Sequence, residues 1–335
     1  MADLNGINTQ NMDAAIRAKI YSGKLREQLE PELIATKYVD VITDFPDGES
    51  WEDLELGSAT VSNYAEGDTI DYKGLDIGSR LFEINNYVHS SHYITAKFMQ
   101  DSYISNQIAA KVPALEARAI YADLEQKLLA LGNKQTLGNG NKVNGMQHRF
   151  VVGDATEGYG ALTPEDFSYA DVALSKANYH GSRVAIVPSY QTYLLASNPR
   201  IRQSLQYNPK FEGIVRDGCM SGMKFAFNIM GFDVYTSEFL PSVGASDVGL
   251  KDRDEQDTSS AITDCGAALF FGNITDRRPF RMAWRQMPMF EGEWNKDKQR
   301  QEFVTVARYG IDLGDRENLV VGVCKDSPAS TLTLA

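Results

Sequence analysis

Cysteine is scarce in this chain, and its scarcity excludes a disulfide framework. The three that occur, Cys219, Cys265 and Cys324, are an odd number without CxxC spacing. Such a set predicts buried or free thiols in a reducing compartment, and it does not predict a structural zinc site.

Long apolar runs are absent as well. No window approaches the roughly 20 uninterrupted apolar residues that a membrane-spanning helix needs. Residues 1–15 lack the basic and then apolar pattern of a secretory signal. We therefore expect no membrane association and a protein made to stay in a cytoplasm.

A surplus of basic residues is also missing, because 33 Lys and Arg stand against 45 Asp and Glu, for a net charge of -12. Proteins that coat nucleic acid directly gain affinity by displacing counterions with Lys and Arg, so the composition argues against that class. An acidic chain can still form a shell around DNA, since such a shell does not have to bind the DNA tightly. The 335 residues, 43% of them hydrophobic, suffice for one large domain or two smaller ones.

Motifs of catalysis and cofactor binding are not found in the sequence. The glycines between 138 and 145 lack the GxGxxG spacing, and there is no GxSxG elbow or HExxH. His89 and His92 lie three apart in a segment predicted to be extended, which puts them on opposite faces. The stretch 252–257 lacks the sixth-position Gly of a calcium loop and has Thr263 at the twelfth, so a solvated acidic loop is favoured. We predict no enzyme, no cofactor and no metal site.

The first hundred or so residues predict mostly extended structure. Residues 11–29 have a helical pattern with few apolar positions, and an extended run follows at 38–42. Together they fit an arm that lies on a neighbouring subunit, or a poorly ordered terminus. From 46 to 98, short alternating stretches between turn formers predict a long β-hairpin with an acidic tip. Because an isolated two-stranded ribbon is only marginally stable, it must rest on its own domain or on another subunit.

The clearest element is a helix predicted over 102–131. Apolar residues recur there at spacings of three and four, at Ile104, Ile108, Val112, Leu115, Ala119, Ile120, Leu124, Leu128 and Leu131. A helix of about 30 residues is roughly 45 Å long. Pro113 predicts a bend or a fresh helical start. Lys111, Arg118 and Glu125 recur every seven residues and are predicted to mark the exposed face.

The rest of the chain predicts an α/β region followed by a second hairpin. Residues 163–166 are typical of a helix opening, with an N-cap Thr, a Pro at the first helical position and acids in the first turn. Alternation over 280–309 predicts the second hairpin, with a charged tip at 291–298. The other predicted elements are a helix ending at 177, a buried strand at 183–188, a helix at 190–196, a strand at 231–235, an acidic loop at 246–260 and an apolar strand at 319–323.

Three short passages carry a resemblance to a known family. Residues 61–70 read VSNYAEGDTI, residues 230–235 read MGFDVY before a Leu-Pro pair, and residues 308–310 read RYG before a later RENLV. With the order of arm, long hairpin, very long helix, α/β region, second hairpin and terminal strand, they resemble the HK-97-type major capsid (coat) protein of tailed double-stranded DNA bacteriophages. The likeness looks closest to coat proteins of short-tailed phages. Glu317 and Asn318 stand where the family more usually has Pro and then Glu.

The resemblance implies an α+β fold with six named parts. These are an N-terminal arm (1–45), the extended E-loop hairpin with flanking strands (46–98), a peripheral domain with a long spine helix (99–153), an axial domain (154–279), a peripheral-domain hairpin called the P-loop (280–313), and a C-terminal strand and tail (314–335).

The resemblance also implies a function and a set of partners. Coat subunits of this family assemble into hexamers and pentamers of an icosahedral shell that encloses the phage genome. We therefore expect a virion component that is assembled in the host bacterial cytoplasm. The expected partners are other copies of the chain, a separate scaffolding protein, a portal protein at one vertex, a decoration protein, and enclosed DNA bound without sequence specificity.

Contacts between copies are predicted at charged and aromatic residues. Acids of the first hairpin are expected to face basic residues of a neighbour, with Glu66, Asp68 and Asp71 against Arg277, Arg278 and Arg281. Two aromatic residues, Tyr72 and Trp294, complete the predicted set. For the basic cluster, which also includes Arg285, ion pairs within the subunit or with its neighbour are favoured over contact with DNA phosphates.

Two alternatives stay open at this point. An encapsulin-like compartment has the same fold, but it is a bacterial shell that closes unaided around an enzyme. An α/β enzyme with an unrecognised site predicts a compact monomer or small oligomer, and not rings or shells.

Overall fold

A computed structural model describes most of the chain beyond residue 33. The described residues are 34–42, 50–56, 77–102, 105–134, 141–153, 158–198, 225–243, 251–253, 261–263, 265–275 and 277–333, with single positions at 61, 63, 66, 67, 69, 72, 74 and 137. The helix predicted at 11–29 and the glycines at 138 and 140 lie outside them, as does most of the strand predicted around 69–72.

Strands predominate, and the four α-helices lie between the fourth and ninth strands of the chain. The α-helices are α1 (Ala96–Asp101), α2 (Ser105–Ala130), α3 (Pro164–Lys176) and α4 (Ser189–Ser197). The 3-10 turns are Ala35–Tyr38, Leu131–Lys134 and Arg316–Asn318. The strands are β1 (Val39–Ile42), β2 (Ser50–Leu56), β3 (Ile77–Glu83), β4 (Asn86–Thr95), β5 (Lys142–Val143), β6 (Met146–Gln147), β7 (Arg149–Val151), β8 (Ser182–Val187), β9 (Phe225–Ile229), β10 (Phe232–Thr236), β11 (Ser242–Val243), β12 (Ala261–Thr263), β13 (Cys265–Asn273), β14 (Phe280–Asn295), β15 (Arg300–Leu313), β16 (Val320–Lys325) and β17 (Thr331–Thr333). This mixture confirms the predicted α+β class.

A four-stranded sheet is built around the second predicted hairpin. Its order is β1-β14-β15-β4, with β14 and β15 antiparallel, β4 antiparallel to β15, and β1 parallel to β14. Side chains alternate across such a sheet, so every second residue of β15 faces α2. Phe303 of that face packs with Ile94, Phe98, Ile108 and Val112 in one buried cluster.

A second sheet has the order β7-β16-β13-β8-β10-β9, with β11 pairing beside β13. Its central strands are apolar throughout because both faces are covered. Val184 and Ile186 join the cluster that contains Leu124 and Leu128 of α2. Neighbouring residues of the same strand point the other way, into the cluster under α3 that contains Phe167. The sheet therefore lies between α2 on one side and α3 on the other.

The opening of α3 follows the prediction. The Thr163 hydroxyl accepts a hydrogen bond from the Asp166 backbone N–H, and the Asp166 carboxylate accepts one from the Thr163 N–H at 2.9 Å. This is the reciprocal capping box that the sequence indicates, with Pro164 in the first turn. The helix ends at Lys176, one residue before the predicted end.

The long helix is shorter than predicted, and its buried face is shifted. It spans 26 residues, or roughly 39 Å, and continues through Pro113 without a break. Residues 96–101, predicted partly as strand, form the separate helix α1 after a cap from the Thr95 side chain. Leu115 of the predicted stripe is exposed, and Glu116 is buried in its place. Glu125, predicted on the exposed face, is also buried, so that prediction is wrong.

The first hairpin does not include the last part of the range 46–98 that was predicted for it. Among the described residues of this range, β2 and β3 pair with each other, whereas β4 belongs to the four-stranded sheet. Phe82 faces inward and packs with Ile84 and Ala283. The ribbon therefore rests on its own subunit by one face, one of the two supports that its marginal stability requires.

Gly310 gives a test of this seating. A Cβ at Gly310 would lie 2.5 Å from the Glu83 carbonyl oxygen and 2.9 Å from the Phe82 ring. We expect Gly310→Ala to lower the free energy of unfolding by about 2–3 kcal/mol through overpacking. Gly292→Ala on the partner strand, where the nearest atom is 3.4 Å away on the Phe303 ring, is the control. Equal midpoints for both variants in chemical denaturation would contradict the seating.

Candidate functional site: exposed faces of the two hairpins

The outer face of the first hairpin is exposed and carries three apolar side chains beside polar ones such as Glu52 and Ser79. Strand alternation puts Leu54, Ile77 and Leu81 on the face opposite Phe82, and their exposed fractions are 69%, 60% and 55%. Single exposed apolar residues are ordinary, but several on one face of a ribbon are typical of an interaction surface. We call these three residues the ribbon face.

The inner face of this hairpin is held by polar contacts as well as by Phe82. Arg80 forms an ion pair with Asp312 at 3.2 Å and donates a further hydrogen bond to the Gly314 carbonyl oxygen. Arg80 is mostly buried, so its charge lies close to that of Asp312 with little water between them. The hairpin is thus anchored on one side only, and the ribbon face remains open.

Two of the predicted contact residues of the first hairpin are accessible. Glu66 is exposed and lies in a turn with Gly67, whose φ of 98° favours glycine. Tyr72 is 89% exposed. Asp68 and Asp71 lie outside the described residues. The carboxylate of Glu66 is therefore accessible to another molecule, as a contact between copies requires.

The basic cluster is divided by the structure. Arg278 donates to the Val39 carbonyl oxygen at 2.8 Å, and the Arg281 Nε lies 3.8 Å from an Asp40 carboxylate oxygen. Both arginines therefore hold β1 against β14 within the subunit. Arg277 is exposed, and its carbonyl oxygen accepts a hydrogen bond from Asn318. Arg277 and Arg285 are thus the exposed arginines of the cluster, whereas Arg278 and Arg281 are half-buried.

The second hairpin exposes apolar residues along the outer half of β14. Met287, Met289, Phe290 and Trp294 are 68%, 49%, 39% and 41% exposed. The Phe290 ring stacks on Phe303 with ring centroids 5.7 Å apart, which supports this part of the strand from beneath. Trp294 is partly exposed next to the turn between β14 and β15, and its contact with a neighbour stays a prediction.

The two buried acids of α2 were missed by the sequence reasoning. Glu116 accepts a hydrogen bond from the Thr305 hydroxyl at 2.7 Å and contacts the His92 Nδ1 at 2.9 Å. Glu125 accepts three backbone N–H groups from residues 34–36. The one available signal was the spacing of four from Ile108 through Val112, which places position 116 within the apolar stripe.

The residues considered for metal binding lie apart from one another or are held by contacts within the fold. In the part of the chain that the structure describes, no group of three His, Cys, Asp or Glu side chains is arranged to hold a metal ion. Asp252 is buried and pairs by backbone with Val151. The solvated loop predicted there is therefore wrong for residues 251–253, while the rest of 246–260 lies outside the described residues. His89 is exposed on the face opposite His92, as predicted.

The two cysteines that the structure describes form no disulfide. Cys265 and Cys324 are both buried, in clusters on opposite faces of the seven-stranded sheet. Burial raises the pKa of the Cys324 thiol well above its ordinary value, which disfavours the reactive thiolate. Cys219 lies outside the described residues. Among the helices that the structure describes, none combines the length and the apolar character needed to cross a bilayer.

Asp166 is the buried acid with the most complete set of donors. Its Oδ2 accepts from the N–H groups of Gly153 and Thr163 at 3.0 and 2.9 Å, and Arg253 lies 3.4 Å from Oδ1. Burial nevertheless raises the pKa of Asp166 from 3.8 to about 6, against the opposing effect of these donors.

This shift gives a pH dependence with a defined sign. At a pH between the two pKa values, Asp166 is protonated in the folded subunit and ionised in the unfolded chain. The stabilisation is therefore present at low pH and lost as pH rises through about 6. The free energy of unfolding of the parent chain is expected to fall between about pH 5 and 7. In Asp166→Asn we expect this fall to be smaller by about 1 kcal/mol. Chemical denaturation of the unassembled subunit at each pH measures it. Glu165→Gln, which alters an exposed acid of the same turn, is the control, and an unchanged slope in Asp166→Asn contradicts the assignment.

Comparison with known proteins gives likeness in structure alone. No protein-family model matches the chain, and no curated protein matches it. Among solved structures, a chain of Mycobacterium phage Che8 has a TM-score of 0.62 at 15% identity, over 91% of this chain and 96% of that one. A chain of the bacteriophage PhiM1 mature capsid has a TM-score of 0.63 at 10% identity, over 98% of both chains. A chain of the cyanophage Pam1 capsid has a TM-score of 0.63 at 14% identity, over 98% of this chain and 100% of that one.

These likenesses extend over nearly the whole of each chain. The chain therefore has the fold found in phage capsids, and the predicted fold class is confirmed. The finer likeness to short-tailed phages stays a prediction.

Proposed function

We propose that this chain is the major capsid protein of a tailed phage, and that it assembles into hexamers and pentamers of an icosahedral shell around the genome. The observation that carries the proposal is the full-length likeness to phage capsid chains. The role is structural and not catalytic, and its site of action is the virion, assembled in the host cytoplasm. A scaffolding protein, a portal protein, a decoration protein and enclosed double-stranded DNA are its proposed partners.

The parts of such a subunit correspond to the observed elements. The E-loop is the β2–β3 hairpin, the peripheral domain is the four-stranded sheet with α2, and the axial domain is the seven-stranded sheet with α3 and α4. Because β7 and β16 pair within the seven-stranded sheet, the segments 99–153 and 314–335 also contribute to the axial domain. The peripheral domain likewise takes β4 from the segment 46–98.

Repeated burial of the ribbon face on a neighbour drives association in this proposal. Fully burying one Leu or Ile side chain contributes about 1.5–3 kcal/mol. Each copy repeats the same contact around a closed ring, so modest interfaces accumulate because later contacts form at high effective concentration. The negative charge of the chain opposes indiscriminate aggregation in the meantime.

Electron microscopy of the purified chain tests the function. We expect rings or closed shells when the chain is produced with its scaffolding partner, and few closed particles without it. Closed shells formed by the chain alone favour an encapsulin-like compartment. A monomer or small oligomer under both conditions, by light scattering, contradicts the shell proposal.

The ribbon face gives a sharper test. We expect the double variant Ile77→Lys, Leu81→Lys to lower particle yield at least roughly tenfold, because two charges cannot be buried on a neighbour without partners. Thermal unfolding of its unassembled subunit is expected to stay near that of the parent chain, since both side chains are exposed in the subunit. Val172→Lys, at an exposed apolar residue of α3, is the matched control. Normal particle yield from the double variant removes the ribbon face from the proposal.

Charge pairing between the hairpin tip and a neighbour's basic residues is proposed as a weaker contribution. We expect Glu66→Lys with Asp68→Lys to slow shell formation at low salt and to matter less at high salt, because exposed ion pairs are screened. Restoration of assembly by Arg277→Glu in the same chain supports the pairing. Shell formation unchanged at low salt contradicts it.

A further inference from the structure

The buried carboxylate of Glu125 holds a segment distant in sequence. Its Oε1 accepts the backbone N–H groups of Ile34 and Ala35 at 2.7 and 2.6 Å, and its Oε2 accepts that of Thr36 at 3.1 Å. These groups begin the 3-10 turn Ala35–Tyr38, whose own flanking residue supplies no side-chain cap. The first N–H groups of a helical turn need acceptors from elsewhere. Glu125 provides them from another helix, 90 residues along the chain.

The carboxylate and the turn depend on each other. Burial raises the pKa of Glu125, and the hydrogen bonds from Ala35, Ile34 and Thr36 oppose that rise. A buried acceptor without donors and buried donors without an acceptor are both costly. Removing either side therefore leaves the other unsatisfied, and the pair acts as a specific fastening and not as general packing.

The segment held by Glu125 continues to the root of the first hairpin, by which we mean the cluster where Phe82 packs on the subunit. We call residues 34–42 the strap. Tyr38 of the strap packs its ring edgewise on Phe271 of the seven-stranded sheet, with centroids 5.5 Å apart. The strap then adds β1 to the four-stranded sheet, with Val39 opposite Phe280. At its end, Ile42 packs against the cluster that contains Phe82.

The strap thus touches both sheets and ends where the β2–β3 hairpin is seated. Its outer residue Val41 is 44% exposed, and among the described strands β1 lies at the edge of its sheet. Polar contacts along its length include those from Arg278 and from Arg281 of β14, and a side-chain hydrogen bond between Tyr38 and Tyr235. Glu125 is the one acceptor that fixes the beginning of the strap, as far as the described residues extend.

We propose that Glu125 is a positioning residue for association between copies of this chain. It fixes the strap, and the strap fixes the root from which the ribbon face is presented to a neighbour. Glu125 itself contacts no neighbour in this arrangement, because it is fully buried in its own subunit. This inference rests on the proposed function only in its last step, the use of the hairpin in assembly.

The test compares three variants of the full chain: Glu125→Ala, Glu125→Gln and Glu116→Gln. Glu116 is the matched control, since it is a buried acid of the same helix that bonds to Thr305 and His92 and not to the strap. Deuterium exchange is measured on unassembled subunits, because it reports local opening separately from global stability. Particle yield is measured on the same preparations.

We expect Glu125→Ala to speed exchange in residues 34–42 roughly tenfold or more, since two buried donors and one half-buried donor lose their acceptor. Exchange in 77–84 should rise with it, while 182–187 and 320–325 should change little. Particle yield should fall about as far as in the ribbon-face variant. Glu125→Gln keeps one acceptor oxygen and should restore most of both properties, and Glu116→Gln should leave the strap unchanged.

The outcomes separate the inference from the proposed function. Unchanged strap exchange in Glu125→Ala overturns the fastening. A loosened strap with normal particle yield overturns the positioning role. If Glu125→Ala does not fold, Glu125→Asp replaces it, because the shorter side chain cannot reach all three donors and should loosen the strap partly. Absence of particles from the parent chain under every condition refutes the proposed function, while the exchange data still decide whether Glu125 fastens the strap.

Discussion

The structure depends on one helix that has to serve two sheets at once. The first half of α2 packs on the four-stranded sheet through Ile108 and Val112, and its second half packs on the seven-stranded sheet through Leu124 and Leu128. On that face the four-stranded sheet also meets Phe98 of the short helix α1, whereas the contact with both sheets is made by α2. An apolar stripe that turns gradually along a long helix can reach both sheets, and it makes α2 the element that joins the two halves of the core.

Polar groups inside this joint set its register. Apolar contacts are tolerant of small shifts, whereas a buried acceptor must meet its donors at hydrogen-bond distance. Glu116 meets Thr305 of β15, and Glu125 meets the chain that leads into β1. The joint is therefore fixed along the helix axis at Glu116 and at Glu125, and the Asp123 carboxylate adds a further contact by accepting a hydrogen bond from the Tyr309 hydroxyl of β15.

The β2–β3 hairpin has too little buried apolar surface of its own to be stable alone. The β2–β3 hairpin buries one face around Phe82 and leaves Leu54, Ile77 and Leu81 in water. A subunit built in this way gains stability when a copy covers that face, so folding and association are linked. The likeness in fold to phage capsid chains and the exposed ribbon face are two independent observations, and both support the proposed role in a shell.

Sequence alone determined the local elements, because hairpins, the capping box at Thr163 and strand alternation depend on neighbours within a few residues. It also determined the order of elements, on which the coat-fold resemblance rested. The tertiary structure decided the pairing of β1 with β14, the transfer of β4 to a different sheet, and the burial of Glu125. Those three depend on partners far along the chain. A carboxylate looks like a surface residue until the fold brings three backbone donors to it, and no pattern within α2 contains them.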